Sequence, residues 1–326
     1  MLLTIPLGDC IPLLVINKNL KNVLITGGNG FIGKNTAILF SQYVPVYGIG
    51  HGSFEKHNHL PSPFTQWIED DISCLSLHEN LNEIPALVIH CAGGSSVAAS
   101  LAEPKKDFQR NLQTTLEVLE YLRLYSPKSR FIYLSSAAVY GNVAHLPIWE
   151  NEPCMPISPY GLHKKFAEEL CHFYHLHYSI PMTIVRPFSV YGPGLKKQLL
   201  WDACNKFSSN QSQFFGDGTE LRDWIHISDL VTLLWNIVQS EKTVFEVINA
   251  CSGKGKSVAD VLTTIKHYFP SAPPISFNHN TKGGDPIGLV GTNSKALHTG
   301  WRQNISLDEG IKEYILWYKK EYKKYE

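Results

Sequence analysis

Asn22-Val-Leu-Ile-Thr-Gly27-Gly-Asn-Gly30-Phe-Ile-Gly33 is a short apolar, partly β-branched run that ends in three spaced glycines. A helix-like segment, Phe31 to Tyr43, follows directly. Strand, glycine turn and helix in that order form the context in which a dinucleotide pyrophosphate is held. Gly27 suits the tight turn, Gly30 lets backbone approach the phosphates, and Gly33 allows close helix–strand packing. The N–H groups at the start of the helix, around Phe31 and Ile32, complete this candidate cofactor site. The alternative is a purely structural loop.

Working outward, the chain continues as alternating strands and helices. Val44–Ile49 (VPVYGI) reads as the second strand, whose end is expected beside an adenosine ribose. An NAD-selective site usually places an acid there. This chain has Gly50-His51-Gly52-Ser53, then Lys56 and His57. A hydroxyl, imidazoles and an ammonium suit a 2′-phosphate and favour NADP(H), whereas a polar loop with NAD held by backbone is the alternative. Asp71-Ile72, after Asp70, is placed to meet adenine or to cap the next helix. Ala86–Cys91 (ALVIHC) reads as a buried parallel strand. Its end, Ala92-Gly93-Gly94-Ser95-Ser96, is small enough for cofactor (Ala92, Gly93) and substrate (Ser95, Ser96) to pass close by. Lys106–Tyr125 reads as one long helix carrying Asn111, either an ordinary polar residue or a support for the strand ends.

Arg130–Leu134 is another strand, followed by Ser135-Ser136-Ala137-Ala138-Val139-Tyr140-Gly141. Serines after a strand are commonly helix caps, but this strand end opens onto the crevice of the glycine loop. Downstream, SPYGLHKKFAEEL places Tyr160 and Lys164 four residues apart. On a helix they share one face, so the lysine charge is expected to lower the tyrosine pKa and make a usable base. Alone, that spacing equally describes a solvated helix face.

Composition narrows the class. The 326 residues suffice for one large α/β domain with a smaller annex, and the 29 basic and 29 acidic residues balance. That balance gives no footprint for nucleic acid or an anionic membrane, so the expected partner is small. Seven cysteines, scattered and without a Cys-x-x-Cys pair, read as reduced thiols of a cytoplasmic protein. No metal site is expected: His172, His175 and His177 lack the spacing of a helical ligand pair. Residues 1–20 read as an arm before the first strand, with an apolar run too short to span a bilayer.

With GGNGFIG, HCAGGSSVAAS, LSSAAVYG, Tyr160-x-x-x-Lys164, IVRPFSVYGPG, FFGDGTELRDWIHISDL and NSKALHTGWRQNISLDEGI in this order, the chain resembles the extended short-chain dehydrogenase/reductases of the NAD-dependent epimerase/dehydratase family, which modify nucleotide sugars. The resemblance runs from about Asn22 to Trp317. It implies a doubly wound α/β Rossmann domain over 1–190, with the N-terminal arm, and a smaller α/β domain, mainly substrate-binding, over 191–326. Lys196–Phe207 and Ile227–Gln239 read as helices of that second part, Phe245–Asn249 as a strand, and Leu307–Tyr322 as a final amphipathic helix.

The resemblance also implies roles. Tyr160 is the acid/base, Lys164 lowers its pKa and holds the nicotinamide ribose, and Ser136 is the catalytic serine. Arg222 meets the nucleotide diphosphate, with an ion pair to Asp223 or another carboxylate as the alternative. Ser189 stands where the family commonly has an asparagine near the sugar phosphate. Lys282, near Asp285, stands close to a frequent arginine. Ala137-Ala138 replace the Asp-Glu pair of the family's dehydratases, which disfavours sugar dehydration and decarboxylation. The expected chemistry is hydride transfer at carbon 4 of a nucleotide-linked hexose by NAD or NADP. The reading preferred is 4-epimerase; an NADPH-dependent 4-ketoreductase and a non-catalytic NAD(P)-sensing protein are the alternatives. The family's helices containing Asn111 and Tyr160 imply a homodimer.

Overall fold

The glycine turn sits at the middle of a seven-stranded sheet. A computed structural model describes residues 20–55, 61–240, 245–280, 283–284 and 286–322. The strands are β1 (Val23–Thr26), β2 (Val46–Gly50), β3 (Gln66–Glu69), β4 (Leu87–His90), β5 (Arg130–Leu134), β6 (Met182–Pro187), β7 (Ser189–Tyr191), β8 (Gln213–Phe214), β9 (Leu221–His226), β10 (Glu246–Ala250), β11 (Gly255–Ser257), β12 (Ser276–Phe277) and β13 (Gly288–Leu289). The central sheet has the order β10-β6-β5-β4-β1-β2-β3 and every pairing in it is parallel. Strands β1, β4 and β6 are buried throughout, because helices cover both faces.

One face packs the helices Phe31–Phe40 and Ile227–Gln239 around Phe40, Leu234 and Trp235. The other packs Cys74–Asn80, Thr114–Tyr125 and Pro159–Tyr178 around Leu119, Tyr133 and Cys171. This is the doubly wound α/β architecture. The strand order reverses between β1 and β4, and a crevice opens there at their carboxyl ends.

A smaller sheet, β11-β9-β13 with β7 paired to β9, and the pair β8–β12 lie over that end. They share a core with the helices Gln198–Ser208, Val258–Lys266 and Leu307–Tyr322. The chain then crosses back: β10 pairs with β6 at the edge of the central sheet. Asp223 ties the smaller sheet together from within, wholly buried and accepting from Ser252 N and Oγ, Gly253 N and Gly291 N. Burial pushes its carboxyl up to about 6.

The segment expected as one helix over 106–125 is three pieces: α-helix Pro104–Phe108, a π-helical turn Gln109–Gln113, and α-helix Thr114–Tyr125. The helix expected from Lys196 begins at Gln198. Residues 1–19, Lys56, His57, Lys282 and Asp285 lie outside the described residues. The six described cysteines are free thiols, and no cluster that could hold a metal is present among the described residues. No described helix is long and apolar enough to cross a membrane.

Candidate active site

Two chain turns build the floor of the crevice. Gly27 adopts φ +66, and a Cβ there would lie 2.7 Å from the Ala92 backbone. A Cβ on Gly33 would meet Gly27 O at 2.4 Å. The glycines therefore let β1, β4 and the first helix approach within backbone contact. Gly30 is the N-cap, so the N–H groups of Phe31, Ile32 and Gly33 point out of the helix start, as a pyrophosphate requires. Opposite, Gly93 at φ +144 brings backbone beside Asn111 Oδ1, which is buried without a hydrogen-bond partner. A cradle that any Cβ would fill and an orphaned acceptor on its floor both fit a dinucleotide.

Beyond β2 the adenosine end is more acidic than the sequence suggested. His51 Nε2 lies 3.3 Å from Asp71 Oδ1, and Ser53 Oγ donates to Glu55 Oε2 at 3.0 Å. Asn29 Nδ2 pins this loop through His51 O (2.7 Å) and Gly52 O (3.0 Å). The cap of the helix Cys74–Asn80 is Ser73, so neither Asp71 nor Asp70 caps it; Asp70 accepts from Ser76 Oγ instead. Ile72 is half-buried beside Asp71.

The helix Pro159–Tyr178 is capped by Ser158, which accepts from Gly161 N at 3.1 Å. Tyr160 lies in its first turn, its N–H held by the fully buried Ser100 Oγ at 3.1 Å. Tyr160 and Lys164 are both buried and a helical turn apart. Their electrostatics correct the sequence expectation. Burial pushes the Tyr160 phenol up to about 12, and the Asp107 charge also raises it; Ser136, through its hydrogen bond, is the influence that lowers it. Lys164 is engaged elsewhere. Its Nζ donates to Leu134 O at 2.9 Å and stands 4.9 Å over the Tyr133 ring, and burial draws it down to about 8. The desolvation of two neighbouring groups outweighs a shared helix face.

Ser136 Oγ also accepts from Ala138 N, capping the 3-10 turn Ala137–Val139. Ser135 turns inward and donates to Glu168. Glu168 in turn grips Arg186 through two bonds, 2.9 and 2.6 Å, and Arg186 Nη1 donates to Tyr140 OH (2.8 Å), which donates to Asn249 Oδ1 (2.7 Å). This buried chain joins the Tyr160 helix to β5, β6 and β10. The sequence reading missed it, although Glu168 is one turn beyond Lys164 and Arg186 interrupts an apolar strand.

The other candidates divide. Ser95 Oγ accepts from Lys197 Nζ at 2.6 Å at the mouth of the crevice. Ser96 caps the helix Val97–Ala102. Ser189 is half-buried on β7 opposite Trp224. Arg222 makes no ion pair with Asp223, because successive strand residues face opposite ways. Its Nη1 reaches Leu221 O (2.9 Å) and Ile287 O (3.3 Å) on the smaller sheet.

A parallel-sheet switch point with a glycine cradle, joined to a half-buried Ser136 and the buried Tyr160 and Lys164, defines a Rossmann-fold enzyme built for dinucleotide chemistry. The chain belongs to the NAD dependent epimerase/dehydratase family, whose model matches residues 23–251. A Methanocaldococcus jannaschii protein assigned by name to UDP-glucose 4-epimerase is 31% identical over 309 residues, covering 91% of this chain and 98% of the relative. Among solved structures, Bacillus cereus UDP-glucuronic acid 4-epimerase in complex with UDP-glucuronic acid and NAD is 26% identical, with TM-score 0.82 over 92% of this chain and 100% of that one. Thermotoga maritima UDP-glucose 4-epimerase with UDP-glucose gives 26%, TM-score 0.84, and coverage of 92% and 99%.

Proposed function

We propose that this chain is a nucleotide-sugar 4-epimerase that works with NAD on a UDP-hexose. The observation that carries the reading is the turn after Ser136. Ala137 and Ala138 stand where a dehydratase needs an acid pair, so the site has a hydroxyl, a phenol and an ammonium but no acid there to expel water. The relatives with solved 4-epimerase complexes support the choice of reaction and nucleotide.

A bound nicotinamide dinucleotide would supply the hydride acceptor and, in the return step, the donor. Gly27, Gly30, Phe31, Ile32, Gly33, Ala92 and Gly93 would hold it. Tyr160 takes the proton of the sugar 4-hydroxyl as hydride leaves carbon 4. Ser136 orients that oxygen in both directions. After the 4-ketosugar presents its other face, Tyr160 would return the proton to the 4-oxygen, and with the hydride given back by the bound cofactor no reducing equivalent would be consumed. NAD rather than NADP is supported by Asp71 beside His51 and Glu55 on Ser53, since carboxylates repel a 2′-phosphate.

The test is incubation of the purified protein with UDP-glucose and with UDP-glucuronate, followed by separation of the 4-epimers. Epimer formed without accumulation of reduced cofactor is expected. An enzyme that forms no epimer and oxidises NADPH stoichiometrically with a 4-keto sugar would overturn the reading.

A further inference from the structure

Ser136, Tyr160 and Lys164 leave a second buried polar cluster beside them without a role. Asp107 and His163 are 6% and 11% exposed, and Asp107 Oδ2 lies 2.6 Å from His163 Nδ1. The other carboxylate oxygen, Oδ1, accepts from Asn111 Nδ2 at 3.0 Å. A carboxylate only accepts, so His163 carries its proton on Nδ1 and Asn111 turns its nitrogen to Asp107. The amide oxygen of Asn111 is thereby aimed the other way. It is the buried, unpartnered acceptor beside Gly93, at whose missing Cβ it would stand 2.5 Å away, with Lys164 Nζ at 3.4 Å from the same point.

We infer that Asp107 and His163 are positioning residues, which lock the Asn111 amide so that its oxygen faces the Lys164 side of the crevice and which brace the first turn of the Tyr160 helix. The inference rests on the assignment of Tyr160 and Lys164 above. The pair bridges two elements: Asp107 lies in the last turn of its helix, shortly before the π-helical turn, and His163 stands between Tyr160 and Lys164. Phe108 closes the outside, its ring edge-on to His163 at 5.5 Å. Around the pair, the charged and titratable groups are Tyr160 and Lys164 on the same helix as His163, with Cys91 from the end of β4 and Glu168 acting on Lys164. The Asp107 charge favours the protonated form of both Tyr160 and Lys164.

Four variants test this. Asp107→Asn removes the charge and sets an NH₂ against either Asn111 or His163. The expected result is a kcat lower by on the order of 10- to 100-fold with KM for the sugar little changed, and a Tyr160 titration moved to lower pH. That titration is read without sugar, as phenolate absorbance of each protein minus that of its Tyr160→Phe counterpart. His163→Asn keeps a donor near the Nδ1 position and should retain most activity; His163→Leu should lose it. If Asp107→Asn leaves kcat and the Tyr160 titration unchanged, or His163→Asn and His163→Leu behave alike, the inference is overturned. Should Asp107→Asn not fold, the two His163 variants decide alone. Turnover retained by Tyr160→Phe in the otherwise unaltered protein would instead remove the base itself, a separate failure.

Discussion

Tyr160 rests as an acid. With its phenol pushed up to about 12 by burial, it is protonated in the free protein at neutral pH, so under the proposed reaction sugar oxidation must draw on a scarce phenolate. The rate of the oxidative half-reaction should therefore climb between about pH 7 and 9, where phenolate grows with pH; a single-turnover pH profile checks it. Tyr160→Phe should lower kcat by on the order of 10²- to 10⁴-fold. His90 gives a stability test. Fully buried between Thr26 Oγ1 and Thr115 Oγ1, it is drawn down to about 3 by burial and, less, by Lys164. An unfolded histidine titrates near 6.5, so below that pH the unfolded chain binds a proton that the folded chain refuses. Stability is full above about pH 6.5 and falls by up to about 1.4 kcal/mol per pH unit on acidification toward 3. Urea denaturation at pH 7, 6 and 5 should show that slope, and His90→Gln should flatten it.

At the scale of elements, the helix carrying Tyr160 is held at its start and its middle. Ser158 caps it, while Glu168 anchors it to Arg186 of β6. Removing one partner of so buried an ion pair leaves the other uncompensated, so Arg186→Ala should destabilise by about 3–5 kcal/mol, read in chemical denaturation. In the glycine turn, Gly33→Ala would press a methyl within 2.4 Å of Gly27 O. The turn must open, and dinucleotide binding, measured by quenching of intrinsic fluorescence, should fall sharply. Strands and helices at this scale were largely legible: β5, the helix Ile227–Gln239 and the helix Leu307–Tyr322 fall where periodicity puts them. The π-helical turn at Asn111 was not, because Gln109–Gln113 has no residue that marks a widened turn and the neighbours it packs close to, Gly93 and Gly94, are distant along the chain.

Across the whole molecule, two neighbouring helical segments carry a run of exposed apolar side chains. Phe108 and Leu116 on one helical segment, with Leu162, Phe166, Phe173 and Leu176 on the Tyr160 helix, are exposed apolar side chains. We propose that this face is buried against a second copy, which would place the paired helices directly behind both active sites. Light scattering should give twice the 36.7 kDa of one chain, and Phe166→Asp should shift it to the monomer. The sequence by itself determined the glycine turn between β1 and the first helix and the placing of Tyr160 and Lys164 one helical turn apart, because turn geometry and helical spacing are local and write themselves into neighbouring residues. Only the tertiary structure decided that Lys164 engages Leu134 O rather than the phenol, that Glu168 meets Arg186, that Asp71 faces His51, and that β10 returns to the central sheet. Those outcomes depend on desolvation and on contacts between residues distant along the chain, and neither is set by local spacing.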